Sequence, residues 1–208
     1  MELNLEKTKV MIFNFSKDKQ FMVNINVDGK EIEVVSQTKL LETVLSSDLK
    51  WDSNISSIVR RANARMNILR KLSEYKPKKE DMKIIYFSYI RSILEQSCEV
   101  WHSSLTEENA EDLERIQKNA LKIILADKYL HYENALRKLD IEDLKSRREY
   151  LCRKFAIKCT SNQKVSQMFP RRQIIKQLRQ NDEFEVNYAR TERYKHSSIP
   201  YMQRQLNK

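Results

Sequence analysis

The scarcity of glycine is the feature that most restricts how this chain can fold. Gly29 is the only glycine among 208 residues, whereas average usage of about 7% predicts roughly fifteen. Loops that cradle phosphates need glycine for positive φ angles and for close approach of the backbone to the ligand. The sequence therefore excludes a Walker loop, a dinucleotide-binding fingerprint and a kinase glycine-rich loop. With three prolines, tight turns are also too few for a sandwich or barrel, so a mostly helical fold remains.

The N-terminal residues have the pattern of β-strands. Residues 8–15 are rich in strand-forming side chains, and alternating apolar residues follow at Phe21, Val23, Ile25 and Val27. Asp28-Gly29 is a hairpin signal, and the chain returns as a strand over residues 30–35. A further short strand is predicted over Lys39–Leu45. We expect a small antiparallel β-meander over about residues 8–45.

After Trp51, apolar residues recur at spacings of three or four, which predicts helices. The first begins near Asp52 and ends before Pro77. Four more helices are predicted, over about Lys79–Trp101, Glu107–Ala126, Glu133–Leu139 and Ile141–Cys159. In the first of these four, the residues expected to face the core are Met82, Ile85, Tyr86, Tyr89, Ile93 and Val100.

The fold class expected from these patterns is α+β, predominantly α. Residues 1–50 form the β-meander, and residues 51–160 form an α-helical bundle (helices over about 52–160). Residues 161–208 are expected to be a basic, loosely ordered segment, because their apolar content is low. Three cysteines, the lack of a signal-peptide pattern and apolar runs of at most four residues predict an intracellular chain, cytoplasmic or nuclear, with no membrane partner.

Positive charge is concentrated in two parts of the chain. The formal net charge is +10; residues 58–83 hold nine basic and three acidic residues, and residues 151–208 hold thirteen and four. Two basic zones flanking a nearly neutral middle are typical of a nucleic-acid groove. The alternative is that the cations only solubilise exposed helix faces.

The first helix carries the strongest candidates for phosphate contact. Its basic residues are predicted to lie opposite its apolar face: Arg60, Arg61, Arg65, Arg70 and Lys71. Such a face can follow a phosphate backbone without reading bases. Trp51 and Tyr75, at the two ends of this helix, either stack on bases or anchor the helix by packing.

No catalytic residue or metal site is predicted. Cys98 and His102 are four apart on a predicted helix, but a structural zinc needs four ligands and nothing else clusters near them. His131 and Glu133, with the distant His196, superficially resemble a facial iron triad. That pair falls at the start of a helix, whereas such sites need rigid elements that present three ligands to an open pocket.

Five motifs, in order over residues 3–155, resemble the part of non-LTR (LINE-type, jockey-like) retrotransposon reverse transcriptases that follows the catalytic core. The first is Asn4-x-x-Lys7-Thr8-Lys9 followed by a strand. The second resembles the hairpin and primer-grip region, and the next three resemble the thumb helix, the helix after it and a C-terminal L-x-I-x-x-L-x-x-R-R element. In this sequence the second motif is Gly29–Ile32 with Lys39–Trp51, and the third to fifth motifs are Ile84–Trp101, Leu113–Ile124 and Leu139–Arg148.

The resemblance implies roles for several residues. Lys7 or Lys9 would lie near the phosphates of an incoming nucleotide, and Leu41–Leu45 near the primer end, with Leu41, Glu42 and Trp51 in the primer-grip-like region. The family usually has glycine where this chain has Glu42, which adds a side chain and a negative charge. That difference indicates a decayed copy or a repurposed fragment.

The resemblance also implies that catalysis lies elsewhere. The family's metal-binding aspartates would precede Met1, and no Asp-Asp pair occurs here, so Mg²⁺ would belong only to the full-length parent enzyme. We expect no cofactor and no activity for this chain alone. The expected partners are RNA or DNA template–primer and either a missing catalytic half or a second copy of the chain. The alternative is a helical protein-interaction domain, or a non-functional retrotransposon-derived domain, without catalysis.

Overall fold

The computed structural model describes residues 4, 6–15, 24–27, 29–172 and 183–208. Some residues used in the sequence analysis lie outside the described residues: Phe21, Val23 and Asp28. The described part is predominantly helical, with short antiparallel strands near the N-terminus, which confirms the predicted fold class. The chain divides into two units, residues 1–57 and 58–208, and each is described by itself.

The first unit contains two β-hairpins. β1 (Asn26–Val27) pairs with β2 (Lys30–Glu31), and β3 (Gln37–Leu40) pairs with β4 (Thr43–Ser46), both antiparallel. The hairpins form two separate sheets, and Val10 makes a single parallel bridge to Val34. Residues 8–15, predicted as a strand, form no strand, and their only ladder pairing is the bridge at Val10. The predicted strands are therefore confirmed only in part, and those present form hairpins, not one continuous meander.

The single strand predicted over Lys39–Leu45 is wrong, because the chain turns in its middle. Leu40 pairs with Thr43, which leaves Leu41 and Glu42 as a two-residue loop. Their φ angles are +47° and +67°, and positive φ at both loop residues is typical of a type I′ hairpin turn. Neither residue is a usual turn former, so the sequence carries no signal for this turn.

The predicted first helix is confirmed as α1 (Asp52–Ser73). Within the first unit, Asn54 is buried and its Oδ1 accepts a hydrogen bond from the Val44 backbone N–H at 3.0 Å. Further along, the predicted apolar stripe is buried as Ile58, Ala62, Met66 and Leu69. The helix ends before Pro77, which cannot donate a backbone hydrogen bond.

The second predicted helix is interrupted twice. It consists of α2 (Lys79–Ile85), a π-helical segment (Tyr86–Arg91), α3 (Ser92–Glu95) and α4 (Cys98–Trp101). α3 and α4 are separated at Gln96 and Ser97, where Ser97 has a left-handed φ of +52°. One continuous helix over Lys79–Trp101 is therefore wrong.

The π-helical segment decides which residues of this region are buried. The buried residues follow a spacing of four, at Met82, Tyr86, Ile90, Leu94 and Cys98. In an α-helix of about 3.6 residues per turn, each step of four would rotate the next side chain by about 40°. The wider π turn offsets this drift. Tyr89 and Val100, expected in the core, are instead 50% and 46% exposed.

The later helices agree with the predictions to within a few residues. They are α5 (Glu107–Leu125), α6 (Tyr132–Leu139) and α7 (Leu144–Thr160). The Thr106 hydroxyl caps α5 by accepting from the Asn109 N–H at 3.2 Å. α5 packs against α2, α6 and α7, so it is central to the second unit. Short 3₁₀ turns lie at His102–Ser104, Ala126–Lys128 and Ser166–Met168.

The C-terminal segment was expected to be loosely ordered, yet its described part packs on the bundle. α8 (Glu192–Lys195) leads to α9 (Ser198–Leu206), which lies against α7. A small core joins the two, with the buried residues Cys152, Ala156, Cys159, Phe169, Phe184 and Met202. In the parts of the chain that the structure describes, no helix is both long and apolar enough to cross a membrane.

Candidate nucleic-acid interface

α1 is a helix with positive charge and almost no negative charge. It contains five basic residues, and no acidic residue occurs between Asp52 and Glu74. α5 differs, since it has five acidic and three basic residues. One of its ion pairs joins Arg115 to Asp112 at 2.9 Å. The charge of α1 is therefore not neutralised by carboxylates on its own surface.

Four of the five basic residues of α1 are exposed: Arg60, Arg65, Arg70 and Lys71. Residues of an α-helix advance by about 100° each, so Arg60 and Lys71 lie about 20° apart around the axis, three turns apart along it. Leu69, in the buried stripe, lies about 180° from Arg60 by the same geometry. Arg60 and Lys71 therefore lie opposite the core, Arg70 lies about 80° to one side of Arg60, and Arg65 lies about 140° to the other side, next to the buried stripe.

Arg61 is less exposed than these four residues. It is half-buried, and its Nη1 donates a hydrogen bond to the Gln96 Oε1 at 3.1 Å. Gln96 lies at the break between α3 and α4, so Arg61 joins α1 to that break inside the second unit. Arg61 is therefore less exposed than the sequence predicts, because its long side chain reaches a polar partner within the second unit.

The aromatic residues at the ends of α1 have different surroundings. Trp51 is half-buried, and its carbonyl accepts the first backbone hydrogen bond of the helix, from Ile55 at 2.8 Å. Tyr75, just after the helix, is 83% exposed. The sequence leaves two roles open for Tyr75, a packing anchor or a stacking residue. Its exposure excludes the role of packing anchor.

The two lysines of the first motif have different partners. The Asn4 carbonyl accepts from the backbone N–H groups of Lys7 and Thr8 at 3.2 and 3.1 Å, and its side chain accepts from Lys7 N–H at 3.3 Å. Lys7 is exposed. Lys9 pairs with Glu33 at 3.0 Å, beside the Val10–Val34 bridge, so a phosphate would compete with a carboxylate for Lys9.

The primer-grip-like residues lie at a hairpin tip and at a helix start. Leu41 is 84% exposed in the β3–β4 turn. Glu42, next to it, pairs with Lys39 at 2.6 Å. Trp51 precedes α1. The left-handed φ of Glu42 is a conformation that glycine adopts without strain, and glycine is the residue that the family resemblance implies there.

A buried polar network was missed in the sequence analysis. The Gln117 side chain donates to the Tyr132 hydroxyl at 2.7 Å and to the Glu142 carbonyl at 2.9 Å, and it accepts from the Tyr86 hydroxyl. The Tyr132 hydroxyl donates to Glu114. Burial raises the pKa of both tyrosines well above the usual range, so both remain neutral donors. The sequence signal for this network is Gln117, a polar residue among the apolar residues of α5.

A second missed group surrounds Arg148, whose side chain is buried in α7. Its guanidinium lies 5.9 Å from the Trp101 ring centroid, within cation–π range. Its Nε donates to the Nδ1 of His102 at 3.3 Å. The pKa of His102 is lowered to about 4, mainly because the side chain is buried. The positive charges of Arg148 and Lys145 lower it further.

The residues weighed as metal ligands have other partners or surroundings. Cys98 is a buried free thiol, and its carbonyl accepts a weak hydrogen bond from the Cys152 thiol at 3.9 Å. His131 Nδ1 lies 3.0 Å from Glu133 and accepts from the Asn134 N–H at the start of α6. Among the described residues, no group of three or more His, Cys, Asp or Glu side chains is arranged to hold a metal ion.

Comparisons with protein-family models, with curated proteins and with solved structures find no match to this chain. The family resemblance therefore rests on the ordered motifs of the sequence. The electrostatic character of α1 is independent of that resemblance, because it follows from the residues and their exposure alone.

Proposed function

We propose that this chain is the C-terminal part of a non-LTR retrotransposon reverse transcriptase and that it binds template–primer nucleic acid through phosphate contacts along α1. The observation that carries the proposal is the exposed cationic side of α1, which has no carboxylate over residues 53–73. A surface that serves only solubility usually mixes both signs of charge, as α5 does.

The spacing of the α1 cations fits a duplex. Arg60 and Lys71 are eleven residues apart, which is about 16 Å along a helix axis. A DNA duplex presents about ten phosphate charges over that length, counting both strands. The phosphates over this length therefore outnumber the four exposed cations of α1. Such contacts position the protein on the nucleic acid and give no sequence specificity.

The motifs of the family resemblance supply the second line of support. Four of their residues belong to the core of the second unit: Tyr86, Leu94, Ile116 and Leu144. In the proposed function these helices form a thumb-like body that carries α1. Catalytic aspartates and their Mg²⁺ would be supplied by residues outside this sequence, so we expect binding without polymerisation from this chain alone.

Binding over a series of salt concentrations tests the proposal. We would measure fluorescence anisotropy with an RNA–DNA hybrid, and use duplex DNA and heparin as comparison polyanions. Four phosphate contacts predict a log–log salt slope of about −4 on duplex. Tighter binding to the hybrid than to both other polyanions would support recognition of A-like duplex shape. Equal, weak binding to the hybrid, duplex DNA and heparin would reject the proposed function.

A matched pair of variants separates α1 from net charge. Arg60→Gln with Lys71→Gln removes two exposed charges of α1 and should reduce the magnitude of the slope by about 2. Arg153→Gln with Lys154→Gln removes two exposed charges of α7 and should leave the slope unchanged. Equal effects of both pairs would show that only overall charge matters. Neither pair touches the core, so unfolding temperatures should match the wild type.

A further inference from the structure

The turn between α1 and α2 presents an aromatic ring to solvent among lysines. Tyr75 is 83% exposed. Lys71, on the last turn of α1, and Lys76 and Lys78, which follow Tyr75, are exposed too. A ring this exposed contributes little to packing, so what sets Tyr75 apart is the basic turn on which it lies.

The backbone fixes where this ring is presented. The N–H of Tyr75 donates to the Leu72 carbonyl, and the N–H of Lys76 donates to the Ser73 carbonyl, both at 3.1 Å. Lys76 adopts a left-handed φ of +49°, and Pro77 follows. Tyr75 therefore lies on a short turn that is hydrogen-bonded to the end of α1, not on a long loop.

Three other tyrosines of the second unit have a ring face occupied by a cation. Lys118 lies over Tyr132 at 5.2 Å, Lys122 over Tyr129 at 5.6 Å and Arg147 over Tyr150 at 5.4 Å. Within the described part of the chain, no such cation or ring contact involves Tyr75. The faces of its ring are available to a ligand that stacks.

We propose that Tyr75 stacks on an unpaired base and that the surrounding lysines bind the flanking phosphates, so that the α1–α2 turn is a contact for single-stranded nucleic acid. An aromatic ring in a basic surface is the usual platform for such binding, because every base has a stacking face. This inference rests on the proposed function, and it adds a ligand class that phosphate contacts along α1 do not require.

Binding of a fluorescein-labelled oligothymidylate tests the stacking residue. Tyr75→Ala should weaken this binding by about fivefold to a hundredfold, the range for loss of one stacked base. Tyr75→Phe keeps the ring and should bind within about twofold of wild type. Tyr188→Ala removes a tyrosine that is 84% exposed elsewhere and should have no effect. The salt slope on blunt duplex should be the same for all three variants, because none removes a charge.

The outcomes separate this inference from the proposed function. Oligothymidylate binding that is equal in Tyr75→Ala and wild type, with duplex binding still dependent on Arg60 and Lys71, would overturn the stacking role and leave the proposed function intact. Absence of binding of the wild type to duplex and single strand alike would reject both. A variant Tyr75→Trp supplies a direct readout, since stacking on a base should quench the added fluorescence when oligothymidylate is bound.

Discussion

The Nε–H of Arg148 donates a hydrogen bond to the Nδ1 of His102 at 3.3 Å. This bond requires His102 to accept at Nδ1, so the imidazole is neutral and carries its proton on Nε2. The Tyr201 ring lies edge-on to the imidazole at 5.8 Å. α9 thereby covers a histidine that connects the 3₁₀ turn after α4 to α7.

The first prediction concerns acid. The pKa of His102 is lowered from 6.5 to about 4, so the folded state binds a proton less readily than the unfolded state. The stabilisation is complete above about pH 6.5 and is lost as the pH falls towards about 4. The lowered pKa of His102 corresponds to a loss of about 3 kcal/mol in the free energy of unfolding. Urea unfolding at several pH values within this window should show that the free energy of unfolding decreases as the pH is lowered.

Two histidine variants isolate this effect. His102→Asn should flatten the pH dependence between about pH 6.5 and 4, since the titrating group is gone. His131→Asn, at an exposed histidine that begins α6, should still lose stability between about pH 6.5 and 4, because His102 is unchanged. Asparagine is also a good helix cap, so this control should remain folded. Identical pH profiles for wild type and His102→Asn would contradict the assignment.

The second prediction concerns the buried network around Gln117. Tyr86→Phe removes the hydroxyl that donates to the Gln117 Oε1 and leaves a buried acceptor without that donor. We expect a loss of about 1–3 kcal/mol in the free energy of unfolding. Tyr89→Phe is the matched control three residues away, because Tyr89 is half exposed and its hydroxyl can bond to water. Chemical denaturation of both variants checks the difference, and equal losses would argue against the network.

The helices α1 and α5 were predictable because their apolar residues follow the α-helical period without interruption. The interruptions of the second predicted helix were not predictable. The π-helical segment keeps Met82, Ile90 and Cys98 on the buried side at a spacing of four. That spacing still places apolar residues three or four apart, so the sequence pattern looks continuous. The left-handed conformation of Ser97 leaves no compositional signal either.

The candidate interface was predictable in part. The exposed cations of α1 follow from charge and periodicity, whereas the displacement of Arg61 depends on Gln96, a residue thirty-five positions away in sequence. The Leu41–Glu42 turn was missed because the chain uses residues without turn propensity there. Tertiary partners of long polar side chains and strained turns are the features that local patterns do not contain.

The third prediction follows from that turn. Glu42→Gly should stabilise the first unit by about 1 kcal/mol, because glycine adopts the left-handed conformation without steric cost. Loss of the exposed ion pair to Lys39 should offset only a small part of this gain. Thr38→Gly, in strand β3 of the same hairpin, should destabilise instead. Hydrogen exchange of the β3 and β4 amides measures both effects locally, and faster exchange in Glu42→Gly would refute the turn assignment.

The fourth prediction concerns Glu95, whose carboxylate accepts from the Nε groups of both Arg91 and Arg147. The side chains of Glu95 and Arg147 are 17% and 30% exposed, so water screens this pair less than a surface pair. A double-mutant cycle with Glu95→Gln and Arg147→Gln should give a coupling energy of about 1–2 kcal/mol.

A cycle on an exposed pair provides the reference for that coupling. Arg115 and Asp112, at 2.9 Å on α5, are 65% and 35% exposed, and their coupling should be below about 0.5 kcal/mol. Salt should weaken the Arg115–Asp112 coupling further, while the Glu95–Arg147 coupling should persist, because partly buried charges are screened less. Equal couplings in the two cycles would mean that Glu95 joins α3 to α7 no more strongly than a surface ion pair does. A larger value for Glu95–Arg147 would establish an electrostatic link between two of the segments that carry the family resemblance.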